Sequence, residues 1–210
     1  MLRERTSEVP PTLELRVNGV FVMDTRETST EQALARHALE LADRPARVLV
    51  GGLGLGFTLH EVLADDRVER VNVVEIEPDL VGWMRDGTIP HGPQFLADER
   101  LTITVADIAM ALAEASPASY DLVLLDVDNG PGYLVYDANQ AVYREPFLAT
   151  CREMIAPGGT LAVWSADESP DLDAVLRSVF GDVTVLAFDV DLQGRDERYW
   201  LYVGRVAEPS

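Results

Sequence analysis

Residues 48 to 56 constrain this chain most. The run Val48-Leu-Val-Gly-Gly-Leu-Gly-Leu-Gly56 carries an apolar segment into a glycine-rich turn, and Thr58-Leu-His-Glu-Val-Leu-Ala64 follows with a helical pattern. Strand, tight turn and helix in that order place a ligand at the turn. Glycine lets the backbone bend sharply there and leaves room for close approach. The spacing narrows the ligand. Glycines at 52, 54 and 56 make G-x-G-x-G, whereas a dinucleotide fingerprint needs a glycine where Phe57 stands. Phenylalanine obstructs the close helix–strand packing that the third glycine permits. The turn, with Gly52, Gly54, Leu55 and Gly56, therefore points to an adenosine ligand without a pyrophosphate, above all S-adenosylmethionine or a derivative.

Around this turn the chain alternates between two periods. Leu13–Val17 and Val20–Met23 alternate apolar and polar, and Asn18-Gly19 between them is a strong hairpin signal because both turn positions favour positive φ. Residues 1–11 read as a loose arm. Thr28-Ser-Thr-Glu-Gln opens a helix with capping residues, and Ala33, Leu34, His37, Ala38 and Leu41 make its apolar face. Core strands are expected at 47–51, 71–75, 101–105, 121–126, 160–165, 183–188 and 198–206, the last two joined by Gln193-Gly194. Pro78 is placed to start a helix, where its missing N–H costs little. Further helices are expected at about 139–155, stopped by Pro157-Gly-Gly, and at about 170–180. Strands that are apolar throughout and alternate with helices argue a parallel sheet covered on both faces. The expectation is an α/β fold with a mostly parallel seven-stranded sheet, an antiparallel edge strand and a short N-terminal β-hairpin. Residues 1–28 form the arm and hairpin, and 29–210 the ligand-binding domain.

Composition excludes several chemistries. The 210 residues suit one full α/β domain. No apolar run approaches the roughly 20 residues of a membrane span, and the first ten residues lack the apolar stretch of a secretory signal. A soluble cytoplasmic protein is expected. The single cysteine, Cys151, rules out an intrachain disulfide and a thiolate cluster, and reads as a small buried hydrophobe. His37, His60 and His91 are scattered, which argues against a zinc site. All 17 basic residues are arginine, which removes Schiff-base chemistry and the P-loop lysine. A net charge of −19 disfavours nucleic acid and fits a neutral or cationic small molecule.

In an open α/β sheet ligands bind beyond the carboxyl ends of the strands. Four such ends carry suggestive groups. The first is the glycine turn. The second is Glu75, followed by Ile76, where a carboxylate can accept both ribose hydroxyl protons; Glu77 and Asp79 beside it read as surface acids. The third is Asp107 with Ile108, where the acid can accept an adenine amino hydrogen while the isoleucine packs on the ring. A helix N-cap is an equal reading of Asp107. The fourth is Asp126. A carboxylate ending an apolar strand is costly without partners, so Asp126 is the strongest candidate for a catalytic or ligand-orienting acid.

Taken in order, these four features resemble the Rossmann-like class I S-adenosylmethionine-dependent methyltransferase fold. Within it the chain is most similar to the spermidine synthase family. Val48–Leu63 matches that family's strand, glycine turn and helix. Val74-Glu-Ile-Glu-Pro78 matches its Val-Glu-Ile-Asp-Pro, Tyr120–Asp126 its Tyr-Asp-Val-Ile-Ile-Asp, and the stretch from Val142-Tyr143 to Gly159 its Leu-Tyr segment and helix. The resemblance covers about residues 13–190. The departures lie at the chemistry. Leu55 stands where the family's turn carries an aspartate that holds the amine of decarboxylated S-adenosylmethionine. The family's Asp-Ser-Ser-Asp-Pro loop reads Asp126-Val-Asp-Asn-Gly130, and a family tyrosine aligns with Leu34.

What the resemblance implies is a transferase using S-adenosylmethionine or its decarboxylated form. Asp126, with Asp128, would orient or deprotonate the acceptor, and Asn129, Tyr133 and Tyr136 would line its pocket; for each tyrosine plain loop packing is the alternative. Without a turn aspartate, methyl transfer to a small nucleophile is the leading expectation. Aminopropyl transfer to a polyamine and a cofactor-binding protein without turnover are the rivals. The expected partners are a neutral or cationic small-molecule acceptor and, optionally, a second copy of the chain.

Overall fold

The computed structural model describes the chain except residues 7–10, 129, 193–194 and 209–210, and gives only the backbone at 190–192 and 195–197. The N-terminal strands β1 (Leu2–Arg5), β2 (Thr12–Val17) and β3 (Val20–Asp24) form a three-stranded antiparallel sheet. Asn18 and Gly19 both take positive φ at its hairpin turn, as their residue types demand. The loose arm expected at 1–11 is corrected: Leu2–Arg5 pairs with Thr12–Leu15. Four residues of mixed charge give no alternation to read. The pairing is fixed instead by Arg5 and Arg16, which both reach the buried Glu14 carboxylate on β2. The turn Gln193-Gly194 lies outside the described residues.

The main unit runs α1 (Ser29–Leu41), β4 (Arg47–Gly51), α2 (Phe57–Ala64), β5 (Arg70–Glu75), α3 (Pro78–Asp86), α4 (Gly92–Phe95), β6 (Leu101–Val105), α5 (Ile108–Glu114), β7 (Tyr120–Leu125), a 3₁₀ helix (Asp137–Tyr143), α6 (Glu145–Met154), β8 (Ile155–Ser165), α7 (Pro170–Phe180), β9 (Asp182–Leu192) and β10 (Arg195–Arg205). The sheet order is β6-β5-β4-β7-β8-β10-β9. The first five strands in that order are parallel, and β10 runs antiparallel to both neighbours. Side chains alternate between two cores because successive strand residues point to opposite faces. Val48, Val50, Leu122 and Leu124 enter one core, while Leu49, Val123 and Leu125 enter the other. Leu15 and Met23 join the first core, so the N-terminal sheet is packed onto the domain.

Two helices differ from expectation. The segment 139–155 is a 3₁₀ helix and an α-helix separated at an extended Arg144. Pro146 explains the break: its ring would clash with the carbonyl of Val142 in a continuous helix. The second helix ends at Met154, ahead of Pro157-Gly-Gly. In α1 the buried face is Thr30, Leu34, Ala35, Ala38 and Leu39, rotated from the face expected, and Thr28 makes no side-chain capping bond. Among the described residues no helix is long and apolar enough to cross a membrane.

Candidate functional site

Parallel strands bring their carboxyl ends to one edge, and the N-terminal sheet closes over that edge. Between them lies a cavity of about 400 Å³, inside the range of small-molecule sites. Its floor is Gly52 and Gly54 after β4. Its walls are Val74–Glu77 after β5, Ala106–Ala109 after β6, Asp126–Asp128 after β7 and Trp164 with Asp167 at β8. Its roof is Leu15, Val17 and Phe21–Asp24.

Gly52 is required by the fold itself. It has φ +97°, and a Cβ on it would collide with the carbonyl oxygen of Asp126. The turn and the end of β7 are thus in backbone contact, which sets Asp126 at the cavity. Glu75 braces the same turn. Only 6% exposed, it accepts the Leu53 N–H at 2.8 Å on Oε2 and the Glu77 N–H at 2.8 Å on Oε1. Burial pushes its carboxyl above the ordinary range. Ile76 is 47% exposed in the cavity wall and Ile108 sits nearby, which gives a flat heterocycle apolar surface. Asp107 satisfies both of its readings at once: it caps α5 by accepting the Ala109 N–H at 2.7 Å and it lines the cavity.

Two expected ligand contacts are corrected. Leu55 is fully buried in the core; its N–H donates to Met23 Sδ at 3.1 Å and its carbonyl lies 2.7 Å from His91 Nε2. Gly56, with φ +86°, faces Met84 and Phe95. Neither lines the cavity, because the turn rotates as it enters α2 and presents this side to α3 and α4. Leu55 therefore cannot discriminate between forms of a cofactor tail. Gly54 lies at the cavity with Met23 packed directly against it.

Asp126 accepts the Thr58 hydroxyl at 2.7 Å. Burial, and next the charge of Glu75, push its carboxyl up to about 6. Asp128, at φ +57°, accepts from Asn139 Nδ2 and from the Val135 N–H, and so organises the loop after β7. Tyr136 donates to Glu77, which with burial pushes the phenol up to about 12, and Glu77 is thereby a cavity wall rather than the surface acid expected. Tyr133 is exposed at the rim. Asn129 lies outside the described residues. Cys151 is buried, which pushes its thiol up, as befits a core residue.

The structure adds residues that the sequence did not single out. Met23, Asp24, Glu27 and Glu31 reach the cavity from β3 and α1, and Trp164 and Tyr199 stack at its far side with ring centroids 5.2 Å apart. The acids at 24, 27 and 31 have helical spacing, but only the packing of α1 beside α2 turns them toward Asp126. Nine carboxylates line the cavity: Asp24, Glu27, Glu31, Glu75, Glu77, Asp107, Asp126, Asp128 and Asp167. Among the described residues no arginine or histidine lines it. No three His, Cys, Asp or Glu side chains of the described residues are placed to hold a metal ion.

A glycine turn, an acid after β5, an acid after β7 and this strand order define a class I methyltransferase-type α/β domain. The solved structure of spermidine synthase in complex with the transition-state analogue AdoDATO shares the fold with a TM-score of 0.79 at 18% identity, over 94% of this chain and 67% of that one. Residues 27–178 match the spermine/spermidine synthase domain, and the chain belongs to that family. It is 32% identical over 171 residues to polyamine aminopropyltransferase 2 of Pseudomonas aeruginosa, covering 76% of this chain and 47% of that protein. It is 29% identical over 119 residues to putrescine N-methyltransferase 3 of Nicotiana tabacum, covering 56% of this chain and 29% of that protein. The chain thus spans about half or less of the length of these curated relatives.

Proposed function

We propose that this protein transfers an alkyl group from a sulfonium nucleoside to an amine, and that the transferred group is aminopropyl. One observation carries the reading: nine carboxylates surround a cavity that no described arginine or histidine enters. Such a field holds cations and repels anions. An ammonium acceptor fits it. The donor's tail is held to the same standard. A full methionine tail would bring a carboxylate into this field. The turn amides at 52, 53, 55 and 56 are already engaged by the Val74 carbonyl, Glu75, Met23 and the Leu53 carbonyl, so they offer it no donors. A decarboxylated tail has no such need. Glu75 is placed for the ribose, and Ile76 and Ile108 for the adenine. The bound donor supplies an electrophilic carbon beside a sulfonium leaving group. The protein's part is to hold the amine, keep water out and remove one proton. Asp126 at the end of β7 is the group for that proton.

The similarity to a putrescine N-methyltransferase favours a second reading, methyl transfer from S-adenosylmethionine to the same kind of amine. One experiment separates the two. The protein is incubated with straight-chain diamines and either donor, and the nucleoside products are resolved. Methylthioadenosine from the decarboxylated donor is the result expected. S-adenosylhomocysteine from the full donor selects methyl transfer. Tight donor binding with neither product, across a panel of amines, overturns both and leaves a binding protein.

A further inference from the structure

Glu31 is the cavity acid with no counterpart in the reading of the sequence. It sits in the first turn of α1, where Thr30 Oγ1 donates to its Oε2 at 2.7 Å. The Thr58 hydroxyl of α2 lies 2.7 Å from Asp126 Oδ2 and 3.4 Å from the Glu31 carbonyl oxygen. One short side chain therefore spans from the first turn of α1 to the end of β7. Both carboxyls line the same cavity. Burial, and next the charge of Asp126, push Glu31 up to about 7. Coupling between two titrating groups is mutual, so the pair rather than either residue sets the pH at which a proton is held. The surrounding groups are acids or phenols: Glu27 and Asp24 ahead of α1, Glu75 on β5, Asp128 after β7, and Tyr143.

We propose that Glu31 and Asp126 act as a carboxylate pair that takes the proton of the acceptor ammonium and shares it. The proposal rests on the amine-transfer reading above. In this step the ammonium N–H bond breaks, an O–H bond forms on a carboxylate of the pair, and the electron pair stays on nitrogen, free to bond to carbon. Two ionised carboxylates in one cavity repel, and gaining a single proton relieves that repulsion. The pair is therefore a stronger base than Asp126 alone. Glu31 acts through Asp126 and need not reach the reacting nitrogen.

Glu31→Gln removes the charge and keeps the shape. In ligand-free protein labelled with ¹³C at the side-chain carboxyls, the Asp126 signal is assigned by its loss in Asp126→Asn. Asp126 should titrate in two steps in the parent protein and in one step, at lower pH, in Glu31→Gln. Should Glu31→Gln fold poorly, Asp126→Asn gives the reciprocal reading, a Glu31 signal moved to lower pH. With donor and diamine, the acid limb of kcat/KM should move down by about one pH unit in Glu31→Gln, and the plateau should fall about tenfold or more. Glu31→Asp should recover part of both. An Asp126 titration unchanged by Glu31→Gln overturns the proposal whether or not the protein turns over. A raised KM with an unmoved acid limb also overturns it, and reduces Glu31 to a binding charge. A shifted titration in a protein that transfers nothing to any amine sinks the amine-transfer reading, and the catalytic role of the pair with it.

Discussion

Glu75 serves two ends, and the substitution that tests one also tests the other. Its oxygens hold the Leu53 and Glu77 amides while its carboxylate lines the cavity. Glu75→Ala leaves two amides unpaired, each costing about 1–3 kcal/mol where buried. We expect a lower urea midpoint together with weaker donor binding by calorimetry, and a smaller stability loss in Glu75→Gln. An unchanged midpoint would show that water replaces the carboxylate at both amides. Leu55 gives the contrasting case. Its alignment with a family aspartate suggested a switch of cofactor preference, yet the side chain is fully buried in the core. Leu55→Asp should therefore destabilise the fold by roughly 3 kcal/mol or more, because it buries an unpaired polar group. A thermal melt decides: a folded, stable variant with an altered donor preference would return Leu55 to the site. Asp126 and Glu75 were legible because a carboxylate at the end of an apolar strand stands out in one dimension. Glu31 was not, since an acid in the first turn of a helix is ordinary there and only α2 brings it to Asp126.

At the scale of elements, the loop after β7 is the part most shaped by contacts. Asn139 reaches back to Asp128, Tyr136 reaches across to Glu77, and Asn18 at the hairpin tip donates to the Val135 carbonyl at 3.3 Å. The N-terminal sheet, the loop and the end of β5 thus close the cavity together. Tyr136→Phe removes one charge-assisted hydrogen bond, worth about 1.5–3 kcal/mol. We expect the acceptor KM to rise about tenfold or more with kcat little changed, since the tyrosine holds the wall rather than the reacting atoms. A fall in kcat at constant KM would give Tyr136 a direct part in the chemistry. The strands of the main sheet were readable because each is apolar on both faces. Strand β1 was not, because its order comes from Arg5 and Glu14, a partnership nine residues apart. The broken helix at Arg144 was signalled by Pro146 and hidden by an unbroken apolar period.

Over the whole molecule, acidity acts in two ways. The cavity acids are held above their ordinary range, Glu31 at about 7 and Asp126 at about 6, and Glu75 is raised as well. Ion-paired acids move the other way, with the Arg100 guanidinium holding Asp98 down to about 2. A raised carboxyl binds more protons in the folded state than in the unfolded one, so its contribution to stability falls as pH rises from about 4 to about 7. Acids held low lose their contribution only below about pH 4. Thermal melts should therefore show a higher midpoint at pH 5.5 than at pH 8, and the difference should shrink in Glu31→Gln. A midpoint that rises from pH 5.5 to pH 8 would mean that the cavity acids are hydrated and not strained by burial.

The amino-acid sequence alone determined the order of strands and helices, the parallel sheet, the glycine turn and the two strand-end acids. Each of these is written in neighbours a few residues apart, through apolar period, turn chemistry or a charge at the end of a hydrophobic run. Tertiary structure alone decided which side of the glycine turn meets ligand, and it turned Leu55 and Gly56 away. It also gathered nine carboxylates from six separate stretches of chain around one cavity. No local pattern encodes that gathering. It follows from strands lying side by side in an order that is not their order in sequence, and from a helix packing that places Glu31 beside Asp126, ninety-five residues further along.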